Sequence, residues 1–427
     1  MAIVRPFRAV RYNSDKVDLS QVISPPYDII SSQKQQELHE RSPYNFTRVD
    51  FPRPEPGKDP YTDAAGRFCR WLKEQVLVRD PRPAVYLYRQ QYAVKGEKKV
   101  RFGFLALLKL EDGGAAVHGH EHTHAAAKED RFKLISKVNA DLSPIFVVFE
   151  DRKRLMEQNL KACAQGSPVI DVTDEDRIAH TVWRVEDPAV LEKVSVKLSG
   201  EDVFIADGHH RYEVACAYRD ARRAACPSFT GEEDFNYVMA YFTNARQQGL
   251  TILPIHRIVR LDRQTDWEKL TEGLSGSFSV EEVKHRERFQ FLIQKAGQRE
   301  HAIGLYGGGK CLLLRLKNIR FLDKTMGDRS REYRELDVAM LNTLVFGNVL
   351  GIEPQRDAAA IRYTADADEA MAAADEDART LAFLMNPTRI EQIISVAANG
   401  EKMPPKSTYF YPKVESGLAV FSMDGEC

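Results

Sequence analysis

The sequence lacks any apolar run long enough to cross a membrane. Its longest apolar stretches, FLALL at 104–108 and IFVVF at 145–149, are far shorter than the roughly 20 residues that a transmembrane helix needs. The N-terminal MAIVRPFRAVRYN also lacks the apolar core of a secretory signal. We therefore expect a cytoplasmic protein that has no membrane partner.

Paired cysteines and an excess of one charge are missing as well. The net charge is -1, with no block of like charges and no recognisable helix-turn-helix, so a nucleic-acid partner is not expected. No C-x-x-C pair occurs, which excludes a zinc ribbon. In a chain of this length, the scattered cysteines are expected to be reduced thiols. They are Cys69, Cys163, Cys216, Cys226, Cys311 and Cys427.

What is present is an ordinary globular composition, with 43% hydrophobic and 29% charged residues in a chain of 427. At about 150 residues per domain, two or three domains are expected. Strand and helix patterns are mixed throughout, and the pattern changes near LTILPIHRIVRL. We predict an α+β fold with domains at 1–255 and 256–427. The oligomeric state stays open, and a homo-oligomer is one option.

Two stretches are typical of β-hairpins. AVYLYRQQYAV and VRFGFLALLKLE are predicted strands with KGEKK as the turn between them. GLYGGGKC matches the G-x-x-x-x-G-K spacing of a phosphate-binding P-loop, but Cys311 stands where Ser or Thr is needed. Because Lys310 leads straight into a second apolar strand, the three glycines favour a hairpin.

The sharpest local signal is FIADGHHRYEVACAY, where an apolar strand changes abruptly to a helical pattern. A helix N-terminus stabilises an anion, Gly208 permits close backbone approach, and Arg211 can form two parallel bonds to a phosphate. Asp207 could hold a divalent cation or accept a proton. The alternative is a simple helix cap by Asp207. A cap leaves His209 and His210 beside Arg211 unexplained, so we favour a function.

Four histidines alternate along VHGHEHTH: His118, His120, His122 and His124. If the stretch is a strand, they share one face, and Glu121 and Thr123 lie on the other. Ligands on alternate strand positions rarely complete a tetrahedral shell alone, and no H-E-x-x-H or cysteine partner is present. A solvated polar loop is therefore favoured over a dedicated zinc site.

A third candidate lies near the C-terminus in MPPKSTYFYPK, where Lys406 and Ser407 follow two prolines. This rigid polar elbow could give a cation and a hydroxyl to a ligand phosphate. It could equally be a surface turn that leads into an edge strand, and the two interpretations stay open.

Several segments in order resemble a bacterial and archaeal family, domain-of-unknown-function family 1015. The resemblance extends over nearly the whole chain but implies no established activity. The segments are SPPYDIIS, SPYNFTRVD, HEHTHAAAKEDR, NADLSPIF, IADGHHRYE, LPIHR and MPPKSTYFYPK.

The strand, D-G-H-H-R turn and helix are also similar to the signature of the ParB and sulfiredoxin superfamily. That superfamily includes CTP-binding partition proteins, ATP-using sulfiredoxins and a free-serine kinase. The resemblance implies that 1–255 is a ParB/sulfiredoxin-like nucleotide-binding domain, followed by a second α+β part. It also implies that Gly208, His209, His210 and Arg211 line a nucleotide phosphate site.

The family pattern around the histidines is H-E-x-T followed by K-x-D-R. It selects His120, Glu121, Thr123, Lys128, Asp130 and Arg131, and it leaves His118, His122 and His124 dispensable. One histidine among carboxylates, a lysine and an arginine suits polar substrate or Mg-phosphate handling better than a soft-metal cage.

From these observations we predict a phosphotransferase that uses ATP or ADP with Mg and a small hydroxylated metabolite, with serine as one option. Catalytic roles are predicted for Asp207, His209, His210 and Glu121, and Mg ligation for Glu121 and Asp207. The other selected residues, including Lys406 and Ser407, are expected to bind the nucleotide. The alternatives are a ParB-like CTP or ATP switch without metabolic turnover and, third, a metal-dependent hydrolase.

Overall fold

Strands and helices alternate along the whole chain. The computed structural model describes residues 2–113, 116–226, 228–354 and 356–423. Its strands are β1 (Val4–Arg5), β2 (Val10–Tyr12), β3 (Leu77–Arg79), β4 (Val85–Val94), β5 (Glu97–Lys109), β6 (Val117–His118), β7 (Ala140–Asp141), β8 (Ile145–Phe149), β9 (Ile170–Thr173), β10 (Ala179–Val185), β11 (Val203–Asp207), β12 (Tyr237–Asn244), β13 (Thr251–Leu253), β14 (His256–Arg260), β15 (Phe278–Glu282), β16 (Ala302–Gly307), β17 (Lys310–Leu316), β18 (Ile361–Thr364), β19 (Thr380–Leu384), β20 (Tyr409–Tyr411) and β21 (Phe421–Ser422).

The helices are of similar number and mostly short. The α-helices are α1 (Leu19–Val22), α2 (Ser32–Arg41), α3 (Thr47–Asp50), α4 (Pro60–Lys73), α5 (Ala125–Val138), α6 (Leu155–Cys163), α7 (Pro188–Ser199), α8 (His209–Ala225), α9 (Trp267–Ser275), α10 (Arg286–Gly297), α11 (Arg320–Thr325), α12 (Arg331–Arg334), α13 (Asp337–Met340), α14 (Ala367–Glu376) and α15 (Ile390–Ala398). Short 3-10 helices lie at Tyr27–Ile29, Asp234–Asn236 and Ala358–Ala360, and a π-helix at Leu341–Leu350.

The chain folds into two compact units. Unit 1 comprises Met1–Gly119, Thr123–Thr251 and Pro412–Cys427, and unit 2 comprises His120–His122 and Ile252–Tyr411. Over the described residues, unit 1 contains a mixed nine-stranded sheet in the order β6-β11-β8-β12-β5-β4-β10-β9, with β1 beside β5. Unit 2 contains a six-stranded sheet in the order β15-β17-β16-β19-β14-β18.

This mixture of helices with several sheets is consistent with the predicted α+β class. The ParB/sulfiredoxin-like assignment and the predicted domain limits at 255 and 256 stay predictions. Apolar side chains from β5, β8 and β12 form the main core of unit 1, and α10 and α14 pack against the sheet of unit 2. Burial of these apolar faces against helices stabilises both units.

The predicted hairpins both form, but one turn is shorter than expected. β16 and β17 pair from Gly307 opposite Lys310, which confirms the hairpin at the three glycines. β4 and β5 pair from Val94 opposite Glu97, so the prediction of a five-residue KGEKK turn is wrong. Lys95 and Gly96 both have positive φ, as a two-residue hairpin turn of this kind requires.

The last described stretch, residues 412–423, belongs to unit 1 and is named here the C-terminal segment. Ser416 bridges Ser24, and Val420 bridges Val10. β21 within this segment pairs with β7. The C-terminal segment therefore brings its side chains next to elements encoded near the start of the chain.

Two sequence expectations concern the membrane and the cysteines. No helix among the described residues is long and apolar enough to cross a bilayer. Four cysteines are free thiols as expected: Cys69, Cys163, Cys216 and Cys311. Cys226 is disulfide-bonded, so the expectation that every cysteine is reduced is wrong for this residue. Cys427 lies outside the described residues.

Candidate functional site

The predicted strand, turn and helix form the junction between β11 and α8. β11 ends at Asp207, Gly208 has a φ of +87°, and the 17-residue α8 starts at His209. A φ in this region favours glycine over residues with a Cβ. No side chain caps α8, so the alternative interpretation of Asp207 as a helix cap is wrong.

Asp207 instead forms hydrogen bonds with two positively charged side chains. Its Oδ1 accepts a hydrogen bond from Lys413 Nζ, and its Oδ2 accepts one from the Arg211 guanidinium at 2.7 Å. Burial would raise the pKa of Asp207, but Lys413 and Arg211, with a smaller contribution from His209, lower it to about 2. The carboxyl is therefore ionised at any physiological pH and is a weak base.

Arg211 has two of its guanidinium nitrogens fixed by hydrogen bonds. Its guanidinium donates to Asp207 Oδ2 and to the backbone oxygen of Pro144, while its buried Nε has no hydrogen-bond partner in the described part of the chain. A Cβ added to Gly208 would lie 3.0 Å from that Nε. Burial lowers the pKa of Arg211, but nearby carboxylates, first among them Asp207, raise it overall.

Asp28 is an acidic group near this pair that the sequence did not single out. It lies in the 3-10 helix Tyr27–Ile29, and its side chain is exposed. Partial loss of solvation and the charge of Asp207 raise its pKa, whereas Arg211 and Lys413 limit the rise. An exposed carboxyl whose pKa is raised suits proton transfer better than one that is permanently ionised.

A small cavity lies on one side of Arg211. Its volume is about 40 Å³, and its wall includes Asp50, Asp141 and Ser143. Asp141 Oδ2 accepts a hydrogen bond of 2.7 Å from the backbone of Met239, yet burial raises its pKa to about 7. Such a space accommodates a few water molecules.

Arg131 and Asp130, both predicted to bind nucleotide, belong to one hydrogen-bonded network in which Arg131 is buried and Asp130 is partly exposed. Arg131 donates to Asp130 Oδ2 at 2.7 Å, and one of its nitrogens lies 3.6 Å from Asp50 Oδ1. Ser143 donates to Asp50 Oδ2 at 2.7 Å and contacts Ser416 of the C-terminal segment at 2.7 Å. Because Arg131 is only 6% exposed, this network chiefly fixes the local structure.

Thr123 and Lys128, also selected from the sequence, meet at Glu213. Thr123 Oγ1 donates to Glu213 Oε2 at 2.6 Å, and Lys128 Nζ donates to the same oxygen at 2.9 Å. Next to them, the His124 backbone donates to His210 Nε2 at 2.9 Å, and the two rings stack. These contacts attach the start of α5 to the first turns of α8.

The histidine stretch is not a continuous strand. β6 ends at His118, so the alternation that would have put four imidazoles on one face applies to a single histidine. His118 Nε2 lies 3.3 Å from Asp202 Oδ2, and its ring stacks on Phe204. The following residues take irregular backbone conformations, which direct their side chains individually.

Two of the selected residues in this stretch belong to unit 2. His120 is buried, its Nε2 lies 3.2 Å from Thr408 Oγ1, and its backbone oxygen accepts from Met403. Glu121 is half-buried in an irregular segment. His122, which was expected to be dispensable, is exposed and lines a pocket of about 280 Å³ in unit 2.

Lys406 and Ser407 also lie in unit 2, within a tight turn. Lys406 is exposed with a φ of +55°, and its backbone oxygen accepts from Arg257 at 2.8 Å. Ser407 Oγ donates to the backbone oxygen of Pro404. The backbone oxygen of Ser407 accepts a hydrogen bond from Thr388 Oγ1. Ser407 therefore uses its hydroxyl to form the turn.

A family model described as a protein of unknown function, DUF1015, matches residues 4–339. The chain belongs to the DUF1015 family. The match includes the Gly208 turn and the histidine stretch, and it ends before the C-terminal segment. No curated protein matches the sequence.

Solved structures resemble the DUF1015 chain only distantly. A conserved hypothetical protein from Pyrococcus furiosus has a TM-score of 0.35 at 13% identity, covering 74% of this chain and 95% of that one. A free serine kinase mutant in complex with ADP has 0.35 at 11%, covering 72% and 87%. SbnI with a C-terminal truncation, from Staphylococcus aureus, has 0.38 at 12%, covering 74% and 87%. Values this low carry no argument about what the DUF1015 chain binds.

Three residues of this site were missed by the sequence analysis of the DUF1015 chain. Lys413 ends the same MPPKSTYFYPK motif from which Lys406 was chosen, and Asp28 lies in SPPYDIIS. Glu213 follows directly in the IADGHHRYE motif. All three were inside quoted segments, but only the fold shows which polar residue of each segment faces Asp207, Arg211 or Lys128.

Proposed function

We propose that the protein is a phosphotransferase that moves a phosphoryl group from ATP or ADP to a small hydroxylated metabolite. The observation that supports this most is the unpartnered, buried Nε of Arg211 beside Gly208. It lies in the first turn of a 17-residue helix that no side chain caps. The start of such a helix favours negative charge, and an arginine donor there suits a phosphate oxygen.

Arg211 and the first turn of α8 would hold the nucleotide phosphates. When bound, the nucleotide supplies the phosphoryl group. Arg211 cannot swing away readily, because Asp207 and the backbone of Pro144 fix two of its nitrogens. A donor that is oriented before the ligand arrives loses little freedom on binding and stabilises developing charge effectively.

Lys413 supplies the second positive charge at this turn through its bond to Asp207. With Arg211 it places two basic side chains on one carboxylate, and Asp28 is a further carboxyl near them. A phosphoryl group in transfer carries its charge on several oxygens, and positive groups around it are the main catalytic requirement.

Asp28 is our candidate for the base that accepts the proton of the acceptor hydroxyl. The pKa of Asp207 is lowered to about 2 by Lys413 and Arg211 despite its burial, so Asp207 would hold a transferred proton poorly. Asp28 is exposed, and partial loss of solvation and the charge of Asp207 raise its pKa. The catalytic role predicted for Asp207 therefore becomes one of orienting Arg211 and Lys413.

Magnesium does not fit Asp207 in this arrangement. Both carboxylate oxygens are already bonded, one to Lys413 and one to Arg211. A divalent ion there would have to displace one cation and lie beside the other, which Coulomb repulsion disfavours. We assign no step to a metal held by this residue.

The decisive experiment is an acceptor panel with ATP and with ADP, with serine tested first, followed by other amino acids and sugars. Phosphorylated products are identified by mass spectrometry, and nucleotide binding is followed by thermal shift. Asp28→Asn is expected to keep nucleotide binding while turnover falls about 100-fold, the usual scale for a lost general base. Arg211→Lys should weaken nucleotide binding itself.

Asp15→Asn is the matched control, because Asp15 is an exposed carboxyl of the same unit. It should keep full turnover. Nucleotide stabilisation without any product, across the panel, would instead favour the nucleotide switch that the sequence left open. No binding of any nucleotide to the wild-type protein would overturn the phosphate site altogether.

A further inference from the structure

A second cluster of polar groups lies in unit 1, formed by residues that the phosphotransferase proposal does not use. Asp174 follows β9, His180 lies in β10, and Glu415 lies in the C-terminal segment. One carboxylate oxygen from each acid and one ring nitrogen of His180 lie within 4.8 Å of one another. The side chains are largely shielded from solvent, His180 completely.

Two of the three groups are already oriented by their neighbours. Asp174 Oδ1 accepts the backbone N–H of Ile178 at 2.8 Å, and its Oδ2 lies 2.9 Å from His180 Nε2. On the other side of the ring, His180 Nδ1 lies 2.5 Å from the hydroxyl of Tyr88. The imidazole therefore has a fixed direction, with Nε2 facing the carboxylates.

Glu415 is the group that this packing leaves unexplained. It is only 7% exposed, and its carboxyl forms no hydrogen bond or ion pair with any described residue. Burial of a carboxyl without a partner costs several kcal/mol, so buried carboxyls are normally paired or bind a metal. Its carboxylate oxygen points into the cluster with Asp174 and His180.

The charges nearby do not compensate for Glu415. Glu175 is paired with Lys34 at 2.5 Å and with Arg41 at 2.6 Å, so both of these cations are taken. Asp176 adds a further carboxyl to the same turn and forms no ion pair with a described residue. Among the described residues, Asp174, Asp176 and Glu415 therefore share one imidazole and have no bonded basic side chain.

We propose that Asp174, His180 and Glu415 bind one divalent cation, with Zn²⁺ or Mn²⁺ as the expected metals. One imidazole nitrogen with two carboxylate oxygens is a ligand set of intermediate softness, which suits these ions better than Ca²⁺ or Cu⁺. Donor atoms about 2.1 Å from an ion lie roughly 3.4 Å apart in a tetrahedral shell. The three donor atoms, now within 4.8 Å of one another, would have to move somewhat closer together, and water would take the fourth position.

His180 is suited to this role by its second contact. For Nε2 to bind a metal, the ring proton must be on Nδ1, where the Tyr88 oxygen can accept it. Metal-bound histidines usually donate their other N–H to such a partner, which fixes the tautomer. The ion would also link Glu415, which lies two residues after Lys413, to the turn after β9. The site itself does not depend on the proposed phosphotransferase activity.

The test uses the full-length protein, stripped of metal and then titrated with Zn²⁺, Mn²⁺ and Co²⁺. We expect one equivalent of metal by mass spectrometry, a rise in Tm, and a visible absorption band with Co²⁺. Glu415→Gln and His180→Gln should each weaken binding at least tenfold and abolish the Co²⁺ band. Gln keeps the size of the glutamate, so loss of binding would not reflect a cavity.

Two matched controls separate ligation from general charge and from the histidine stretch. Glu175→Gln removes a carboxylate of the same turn that already has cation partners, and His118→Gln removes a histidine that lies beside Asp202. Both should keep affinity within about threefold of the wild type. The proposal is overturned if the wild type binds none of the three ions, or if binding persists in Glu415→Gln and His180→Gln.

Discussion

Asp207 and Asp141 are carboxyls of unit 1 near Arg211, and both are largely shielded from solvent. They differ in whether a basic side chain is bonded to the carboxyl. Asp207 is bonded to Lys413 and Arg211, and these cations lower its pKa to about 2 in spite of burial. Among the described residues, Asp141 accepts hydrogen bonds from backbone N–H groups alone, and burial raises its pKa to about 7. A direct bond to a cation decides which effect prevails, because backbone donors alone do not offset the loss of solvation.

The contrast extends to what each carboxyl can do. Asp207 is always ionised and serves to hold two positive groups beside the start of α8. Asp141 lines the small cavity on the other side of Arg211, and can gain or lose a proton near neutral pH. Substitutions that convert one environment into the other test this difference.

Removal of the Asp141 charge should have the largest effect on stability. The pKa of Asp141 is higher in the folded state than in the unfolded state, so the folded state retains a proton that the unfolded state releases above about pH 4. The free energy of unfolding should therefore fall as pH rises from about 4 to about 7. Asp141→Asn should lose this dependence and gain about 3 kcal/mol over the wild type between pH 5 and pH 8.

Urea unfolding at pH 5 and pH 8 measures this difference. Asn can still accept the hydrogen bond from the Met239 backbone, so the two proteins differ mainly in the ionisable group. Asp15→Asn, an exposed change, should leave the pH dependence as in the wild type. Equal slopes for the wild type and Asp141→Asn would show that the carboxyl does not titrate in this range.

Loss of Lys413 should give Asp207 the character of Asp141. Lys413→Met removes one of the two basic side chains bonded to a largely buried carboxylate, and a cost of about 2 kcal/mol is expected at pH 7. The pKa of Asp207 is lowered in the wild type, so the stability it contributes is present above about pH 4 and is lost as pH falls toward 2. The difference between the two proteins should therefore shrink at pH 3.5.

Lys133→Met provides the comparison for this change. Lys133 is 52% exposed and pairs with Glu129 on the surface of α5, and such pairs contribute little. Its loss should leave the free energy of unfolding nearly unchanged at either pH. A similarly small effect for Lys413→Met would contradict the role assigned to that lysine.

The sequence predicted the parts of this site that depend on neighbouring residues. A change from period-two to helical spacing marked the junction of β11 and α8, and Gly208 marked the turn between them. The glycine hairpin at β16 and β17 followed from three glycines between apolar strands. Local rules suffice where a feature is determined within about ten residues.

Features that depend on distant contacts were beyond such rules. Lys413 reaches Asp207 across 206 positions of sequence, because the C-terminal segment returns to unit 1. Nothing near Lys413 distinguishes it from Lys406, which lies exposed in a turn of unit 2. The alternation of histidines also misled, since β6 ends after two residues and the rest of the stretch follows tertiary contacts.

The smallest expected effect on stability comes from Gly208→Ala, a substitution that distinguishes backbone strain from loss of ligand binding. Gly208→Ala should cost about 1 kcal/mol because φ is +87°, and its Cβ would lie 3.0 Å from Arg211 Nε. Gly309→Ala has the same kind of strain at φ +74° with no atom within 4 Å of the new Cβ. Both variants should therefore lose similar stability in urea unfolding.

Only Gly208→Ala should weaken ATP binding, by about tenfold, because the donor proposed for the phosphate is the one that its methyl group crowds. Equal ATP affinity in the two variants would remove Arg211 Nε from the phosphate site while leaving the ion pairs of Asp207 intact.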